Sequence, residues 1–177
     1  MNISIKAAAL GLLLSSATTA YFVEQAEQNS IQHNIGYNVL IDSEQFNGHY
    51  YKVYDYNLTW NEANNFCLNL GGHLVTITSE AENEFVKQLI SQGHHQESYW
   101  TGGYRGENSN WTWITDEEFN YSKWAPGEPN NLSQKENFIE LYNMYNSNNA
   151  LLGSWNDVTE VSGMFNRGFI CEWDYAD

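Results

Sequence analysis

Basic residues, cysteine and proline are all scarce in this sequence. Lysine and arginine total 7 against 22 aspartates and glutamates, a formal net charge of -15. A field of that sign repels phosphate backbones and anionic lipid headgroups, so it argues against nucleic acid and basic-patch membrane partners and favours cations. The 2 prolines and 13 glycines, which show no period, exclude a collagen-like stalk. A length of 177 residues allows one ordinary domain with a short extension and excludes a multidomain enzyme.

Long hydrophobic runs are also missing, apart from one near the start. Residues 1–20 contain Lys6, then an apolar run over 7–14 and small residues up to Ala17 and Ala20. This pattern predicts a signal peptide cleaved after one of those alanines, and therefore a secreted protein. The alternative is a buried helix of the domain. The apolar run is too short for a permanent membrane span, and no later stretch is apolar enough.

The two cysteines, Cys67 and Cys171, allow a single intramolecular pairing. Disulfides persist in the compartment to which a signal peptide leads, so we expect the bridge rather than two buried free thiols. Closing a loop of about a hundred residues is worth about 4–5 kcal/mol in the chain-entropy model.

The remaining chain divides into a polar arm over residues 21–41 and a domain over residues 42–177. Hydrophobic residues make up 42% of the sequence and aromatics 15%, enough to fill a core and to exclude disorder throughout. Capping-box patterns at 59–62 and 79–82 each precede apolar residues at helical spacing. After residue 99, short aromatic runs alternate with polar loops. Two early helices and later short strands predict an α+β fold with short antiparallel sheets and a long loop region.

Two loop segments concentrate side chains that carry oxygen donors. They offer three carboxylates and two amides without thiolate or imidazole, a set that suits Ca²⁺ and is wrong for zinc or copper. The alternative is a solvated acidic loop shaped by its prolines and glycine. The five candidate ligands are Glu128, Asn130, Glu136, Asn156 and Asp157.

Two other groups invite a functional interpretation. His94 and His95 are adjacent, but side chains of neighbouring residues point apart on a regular element, so a surface loop is the simpler interpretation. The acidic run Asp116-Glu117-Glu118 offers a carboxylate pair for glycoside hydrolysis. Its charged loop instead favours solvated acids.

Ordered motifs over residues 46–173 resemble those of a C-type lectin-like domain. The matching segments are TWNEA at 59–63, GGHLVTI at 71–77, SEAEN at 79–83, WTG at 100–102, WAPGEP at 124–129, WND at 155–157 and FICE at 169–172. The threonine of WTG departs from the isoleucine that the family has there.

The resemblance implies that the five oxygen donors are ligands of one Ca²⁺ and that they also bind sugar. In such lectins two neighbouring sugar hydroxyls complete the coordination of the ion, without any enzymatic step. The order Glu128-Pro129-Asn130 implies a preference for mannose, fucose, glucose and N-acetylglucosamine over galactose, with the Pro129 peptide cis. The implied partners are cell-surface or soluble glycans. Because one site binds a monosaccharide only weakly, we expect a homo-oligomer or clustered glycans to supply avidity. The alternative is a module of the same fold that binds a protein, ice or a mineral surface.

Departures from the family pattern concern the long loop region. Phe138 and Glu160 stand near the positions of the family's second disulfide, so the metal and packing alone are expected to hold the long loop. Arg105, Asn131 and Asn137 lie near an auxiliary calcium site that prefers acids, which argues against a second ion.

Overall fold

The computed structural model describes residues 42–144, 151–160 and 166–174, together with the single residue Gln25. The predicted signal peptide, and the predicted arm apart from Gln25, lie outside this range. Within it, no helix is long and apolar enough to cross a membrane.

The described chain forms two helices, eight short strands and one 3₁₀ turn, so the predicted α+β class is confirmed. The helices are α1 (Trp60–Asn69) and α2 (Glu80–Ser91). The 3₁₀ turn covers Leu132–Gln134. The strands are β1 (Glu44–Phe46), β2 (His49–Tyr54), β3 (His73–Leu74), β4 (Ser98–Arg105), β5 (Trp111–Trp113), β6 (Phe138–Tyr142), β7 (Trp155–Val158) and β8 (Arg167–Asp174).

Both helices begin where the capping patterns predict, but only the first box is complete. The Thr59 hydroxyl accepts the Glu62 N–H at 3.3 Å, and the Glu62 carboxylate accepts the Thr59 N–H at 2.9 Å. Ser79 likewise caps the Glu82 N–H of α2. The Glu82 carboxylate, however, accepts the Thr78 N–H at 2.8 Å and the Tyr51 hydroxyl at 2.8 Å. The second box is therefore half formed, because a tertiary contact with β2 holds the glutamate.

The strands join in one sheet of order β1-β2-β8-β4-β6-β7, with β3 on β8 and β5 on β4. All pairings are antiparallel except β4 with β8. The sheet is thus larger than the short antiparallel sheets predicted. Its parallel pair joins β4 to β8, the last strand in the sequence. Strand β8 lies between β2 and β4, so residues from both ends of the domain become neighbours.

The predicted bridge between Cys67 and Cys171 is present and joins the buried face of α1 to β8. Around it pack Trp60, Trp100 and Phe169, all buried. No other cysteine exists in the chain. Where the family's second disulfide would begin, the Phe138 ring lies 4.7 Å from that of Trp60 and is tilted by 34° against it, so aromatic packing ties β6 to α1.

Candidate functional site

The loop that follows residue 123 is anchored on β7 by its backbone. The Trp155 N–H donates to the Lys123 carbonyl at 2.8 Å, and the Ala125 N–H donates to the Trp155 carbonyl at 2.8 Å. The peptide between Glu128 and Pro129 is cis, as the resemblance implied. These contacts place the loop segment over 128–131 beside the strand that carries Asn156 and Asp157.

Asp157 is the centre of this arrangement. Its side chain is fully buried, and its two oxygens accept the N–H groups of Asn130 at 2.9 Å and Asn131 at 3.0 Å. The Arg105 guanidinium donates to the second oxygen at 2.9 Å and, through Nε, to the Glu136 carbonyl at 2.9 Å. One carboxylate therefore ties together β7, the loop and β4, and the buried charge is matched by three donors.

The Arg105 side chain also stacks on an aromatic ring. Its guanidinium carbon lies 4.2 Å from the centroid of the Trp111 ring, which holds the cation over β5. Arg105 lies where the resemblance places an auxiliary calcium site, so a fixed positive charge already neutralises Asp157 on that side.

Glu128 and Glu136 both sit in a field of like charge. Burial and the neighbouring Asp157 carboxylate raise the pKa of Glu128, against the opposing hydrogen bonds from Asn130. Burial also raises the pKa of Glu136, and the charges of Asp157 and Glu140 add to it. Carboxyl groups in this situation hold protons more tightly until a cation lowers the repulsion.

Asn156 is oriented by a buried pair behind it. Its side-chain NH₂ donates to one Glu140 oxygen at 2.9 Å, which turns the amide oxygen away from that carboxylate. The other Glu140 oxygen accepts Arg167 Nε at 2.5 Å and the Ser98 hydroxyl at 2.7 Å, and both Glu140 and Arg167 are 3% exposed. Sequence reasoning missed these three supporting residues. The only available signal was an acid inside the otherwise apolar strand pattern of β6.

The five candidate ligands are thus near one another, but their carboxylates do not meet at one point. The Glu136 carboxylate accepts the Leu132 N–H at 2.6 Å. In the described part of the chain, only one set of three acid or histidine ligand atoms lies within 4.8 Å of each other, and it belongs to His49, Glu172 and Asp174. The donor set fits Ca²⁺ in its chemistry, since it offers only oxygens, but Glu136 would have to turn from the backbone to share one ion.

The comparison with protein families decides what kind of domain this is. The model for the lectin C-type domain matches residues 56–173. The chain belongs to the C-type lectin domain family. This is a carbohydrate-binding, non-enzymatic family that generally uses Ca²⁺.

Individual relatives show how far the C-type lectin likeness extends. A perlucin-like protein of Mytilus galloprovincialis is 32% identical over 117 residues, which are 63% of this chain and 68% of that protein. C-type lectin domain family 4 member F of Rattus norvegicus is 31% identical over 121 residues, 66% of this chain but 20% of that protein. The chain therefore spans about a fifth of the length of that relative.

Among solved structures, the C-type carbohydrate-recognition domain of cow CD23, determined in the presence of a GlcNAc2Man3 oligosaccharide, superposes with a TM-score of 0.62. It is 26% identical to this chain, and the match covers 76% of this chain and 95% of that one.

The other predicted candidates lie apart from these loops. Asp116, Glu117 and Glu118 are exposed in the loop after β5, with Glu117 accepting the Thr115 hydroxyl. His94 pairs with Asp55 at 3.1 Å before β4.

Proposed function

We propose that this C-type lectin domain is secreted and binds mannose-type sugars through one Ca²⁺. The ion would be held by the five oxygen donors of the loop and β7. The observation that supports this most is the buried Asp157 carboxylate, which accepts backbone N–H groups from both residues 130 and 131 and so joins the two halves of the donor set. The ligands are Glu128, Asn130, Glu136, Asn156 and Asp157.

Calcium, when bound, supplies free coordination positions for two neighbouring hydroxyls of a sugar. The chain's own groups give the selectivity. A ligand carboxylate accepts a hydrogen bond from a sugar hydroxyl and a ligand amide donates one, and such charge-assisted bonds are stronger than neutral ones. Glu128 and Asn130, on either side of cis Pro129, supply one acceptor and one donor, the order that we associate with mannose-type rather than galactose-type sugars.

A single site of this kind binds weakly. Millimolar affinity corresponds to about 4 kcal/mol, so useful attachment to cell-surface or soluble glycans needs several sites acting together. We therefore expect clustered glycans or a homo-oligomer to be part of the biological interaction, without any chemical change in the sugar.

The first experiment is retention of the mature protein on mannose-agarose in calcium, followed by elution with EGTA, beside an identical galactose column. We expect retention on mannose alone and release by the chelator. Failure on both columns, with folding verified by circular dichroism and calcium present, would refute sugar binding. It would favour the module that binds a protein or mineral surface.

The second experiment exchanges the two selectivity residues. The double change Glu128→Gln and Asn130→Asp keeps the net charge but reverses which position carries the acid, so retention should move from mannose to galactose. Asp116→Asn is the matched control, because it removes an exposed acid from a different loop. Mannose retention that survives the double change would show that these ligands are wrongly assigned. If the wild-type protein hydrolysed a glycoside and Asp116→Asn abolished that turnover, the result would instead support a hydrolase.

A further inference from the structure

A second cluster of metal-ligand groups, His49, Glu172 and Asp174, lies on strands β2 and β8, away from β7. The register of β2 with β8 places His49 opposite Asp174, and that of β3 with β8 places His73 opposite Glu172. Glu172 and Asp174 are two residues apart on one strand and so share a face. Strands β4 and β6 separate this cluster from β7 in the sheet, which makes it independent of the loop site.

The histidine nitrogen at the centre of the cluster faces two carboxylates at once. His49 Nδ1 lies 2.5 Å from Asp174 Oδ1 and 3.0 Å from Glu172 Oε1. A ring nitrogen carries at most one hydrogen and can donate to one of these oxygens well, not to both. The three ligand atoms lie within 4.8 Å of one another, a spacing that one bound cation satisfies.

Each carboxylate has its second oxygen held from behind. Asp174 Oδ2 lies 3.1 Å from His73 Nε2, while His73 Nδ1 contacts the Leu74 carbonyl at 2.9 Å. Glu172 Oε2 accepts the Thr76 N–H at 2.8 Å. The other two oxygens are directed at His49, and Glu172 Oε1 also accepts the Tyr51 hydroxyl at 3.1 Å. Outer contacts that aim ligand atoms at a common point are typical of metal sites.

Among the described residues, histidines are the only basic side chains that pair with the carboxylates of the cluster. Glu172 is 2% exposed, and the Tyr51 hydroxyl, which has one hydrogen, lies between it and the Glu82 carboxylate, at 3.1 Å and 2.8 Å. Among the residues that the structure describes, no lysine or arginine pairs within 4.0 Å with Glu82, Glu172 or Asp174. A cavity of about 90 Å³ lies beside the cluster. His49 and Glu172 line it together with Tyr51, Glu82 and Glu117, whereas Asp174 lies outside it.

We propose that His49, Glu172 and Asp174 form a binding site for Zn²⁺, with His73 positioning Asp174. An imidazole nitrogen with two carboxylate oxygens suits zinc, which takes four ligands of this kind, and does not suit Ca²⁺, which prefers oxygen alone. Water completes the coordination, since the side chains of His49 and Asp174 are 40% and 56% exposed. The site would tie the start of β2 to the end of β8.

The test is zinc binding by the untagged mature protein, measured by calorimetry and by metal analysis after gel filtration, in saturating calcium so that the loop ligands are occupied. We expect one zinc per chain. His73→Gln should weaken binding about 10–100-fold, as the loss of an outer contact does. His49→Gln and Asp174→Asn change a ligand directly and should each weaken binding more than His73→Gln. Cobalt substituted for zinc should give the visible absorption of a four-coordinate ion in the wild type.

The matched control is His94→Gln. His94 also pairs with a carboxylate, that of Asp55 at 3.1 Å, but belongs to no set of three ligand atoms in the described chain. The zinc affinity of the His94→Gln variant should equal that of the wild type. Zinc binding that is absent from the wild type, or that His49→Gln leaves unchanged in a folded protein, would overturn the proposal. Mannose retention by His49→Gln should be normal, so failure of this site and failure of the sugar site are distinguished.

Discussion

Replacing Arg167 with methionine should be among the most destabilising single changes in this domain. Among the described residues, the change leaves the Glu140 carboxylate, which is 3% exposed, with only the Ser98 hydroxyl and the Asn156 amide as donors. It also removes the guanidinium that lies 5.0 Å from the Trp100 ring centroid. Removing one partner of a buried pair costs about 3–5 kcal/mol, because the other charge stays buried without compensation.

A double-mutant cycle separates the stranded charge from the lost packing. Adding Glu140→Gln to Arg167→Met removes the carboxylate charge, while the new amide can still contact Ser98 and Asn156. We expect the double variant to be more stable than Arg167→Met alone. The coupling energy between the two substitutions should be at least about 2 kcal/mol. The free energy of unfolding is measured by urea denaturation in EGTA, followed by tryptophan fluorescence, so that metal binding does not contribute.

The control is a solvent-exposed ion pair. Lys52 Nζ lies 3.7 Å from Asp42 Oδ2, and the Asp42 side chain is 75% exposed. Lys52→Met should cost less than about 1 kcal/mol, as exposed pairs do. If the losses in unfolding free energy for Arg167→Met and Glu140→Gln simply add, within about 0.5 kcal/mol, the argument that burial couples the two residues is refuted.

Other contacts make equally specific predictions. Thr59→Ala removes the first helix cap and should lower the free energy of unfolding by about 1 kcal/mol in urea titrations, whereas an unchanged midpoint would contradict the cap's role. Cys67 and Cys171 are 104 residues apart in the chain, and replacing both by serine should cost about 2–5 kcal/mol in the same assay. Burial raises the pKa of Tyr54 to about 12 and raises that of four further tyrosines. Because their neutral form is favoured in the fold, this stabilisation is complete below the ordinary tyrosine pKa and is lost as the pH rises above it. Phenolate absorbance should therefore appear at higher pH in the native than in the urea-unfolded protein, and coincident curves would contradict the burial. The four further tyrosines are Tyr51, Tyr99, Tyr121 and Tyr142.

Features that depend on neighbours along the chain were predictable from the sequence. The caps at Thr59 and Ser79 use hydrogen bonds that span three residues, so the local order of residues is enough to define them. The pairing of Cys67 with Cys171 was also predictable, because two cysteines allow a single bridge. The types of the five candidate ligands, all of them oxygen donors, could likewise be taken directly from the two loop segments.

Features that depend on strand register appeared only in the tertiary structure. The Glu82 carboxylate of α2 accepts the Tyr51 hydroxyl of β2, and Arg167 of β8 pairs with Glu140 of β6 across the intervening β4. Tertiary packing brings these distant segments together. His49 and Asp174 are 125 residues apart in the chain, and nothing in either segment predicts that they meet. A helix cap is determined by a few local dihedral angles, whereas cross-strand partners are chosen by the packing of the whole core. The residue types at both sites were therefore visible in the sequence, but the convergence of the histidine cluster and the outer contacts of Asn156 were decided by the fold.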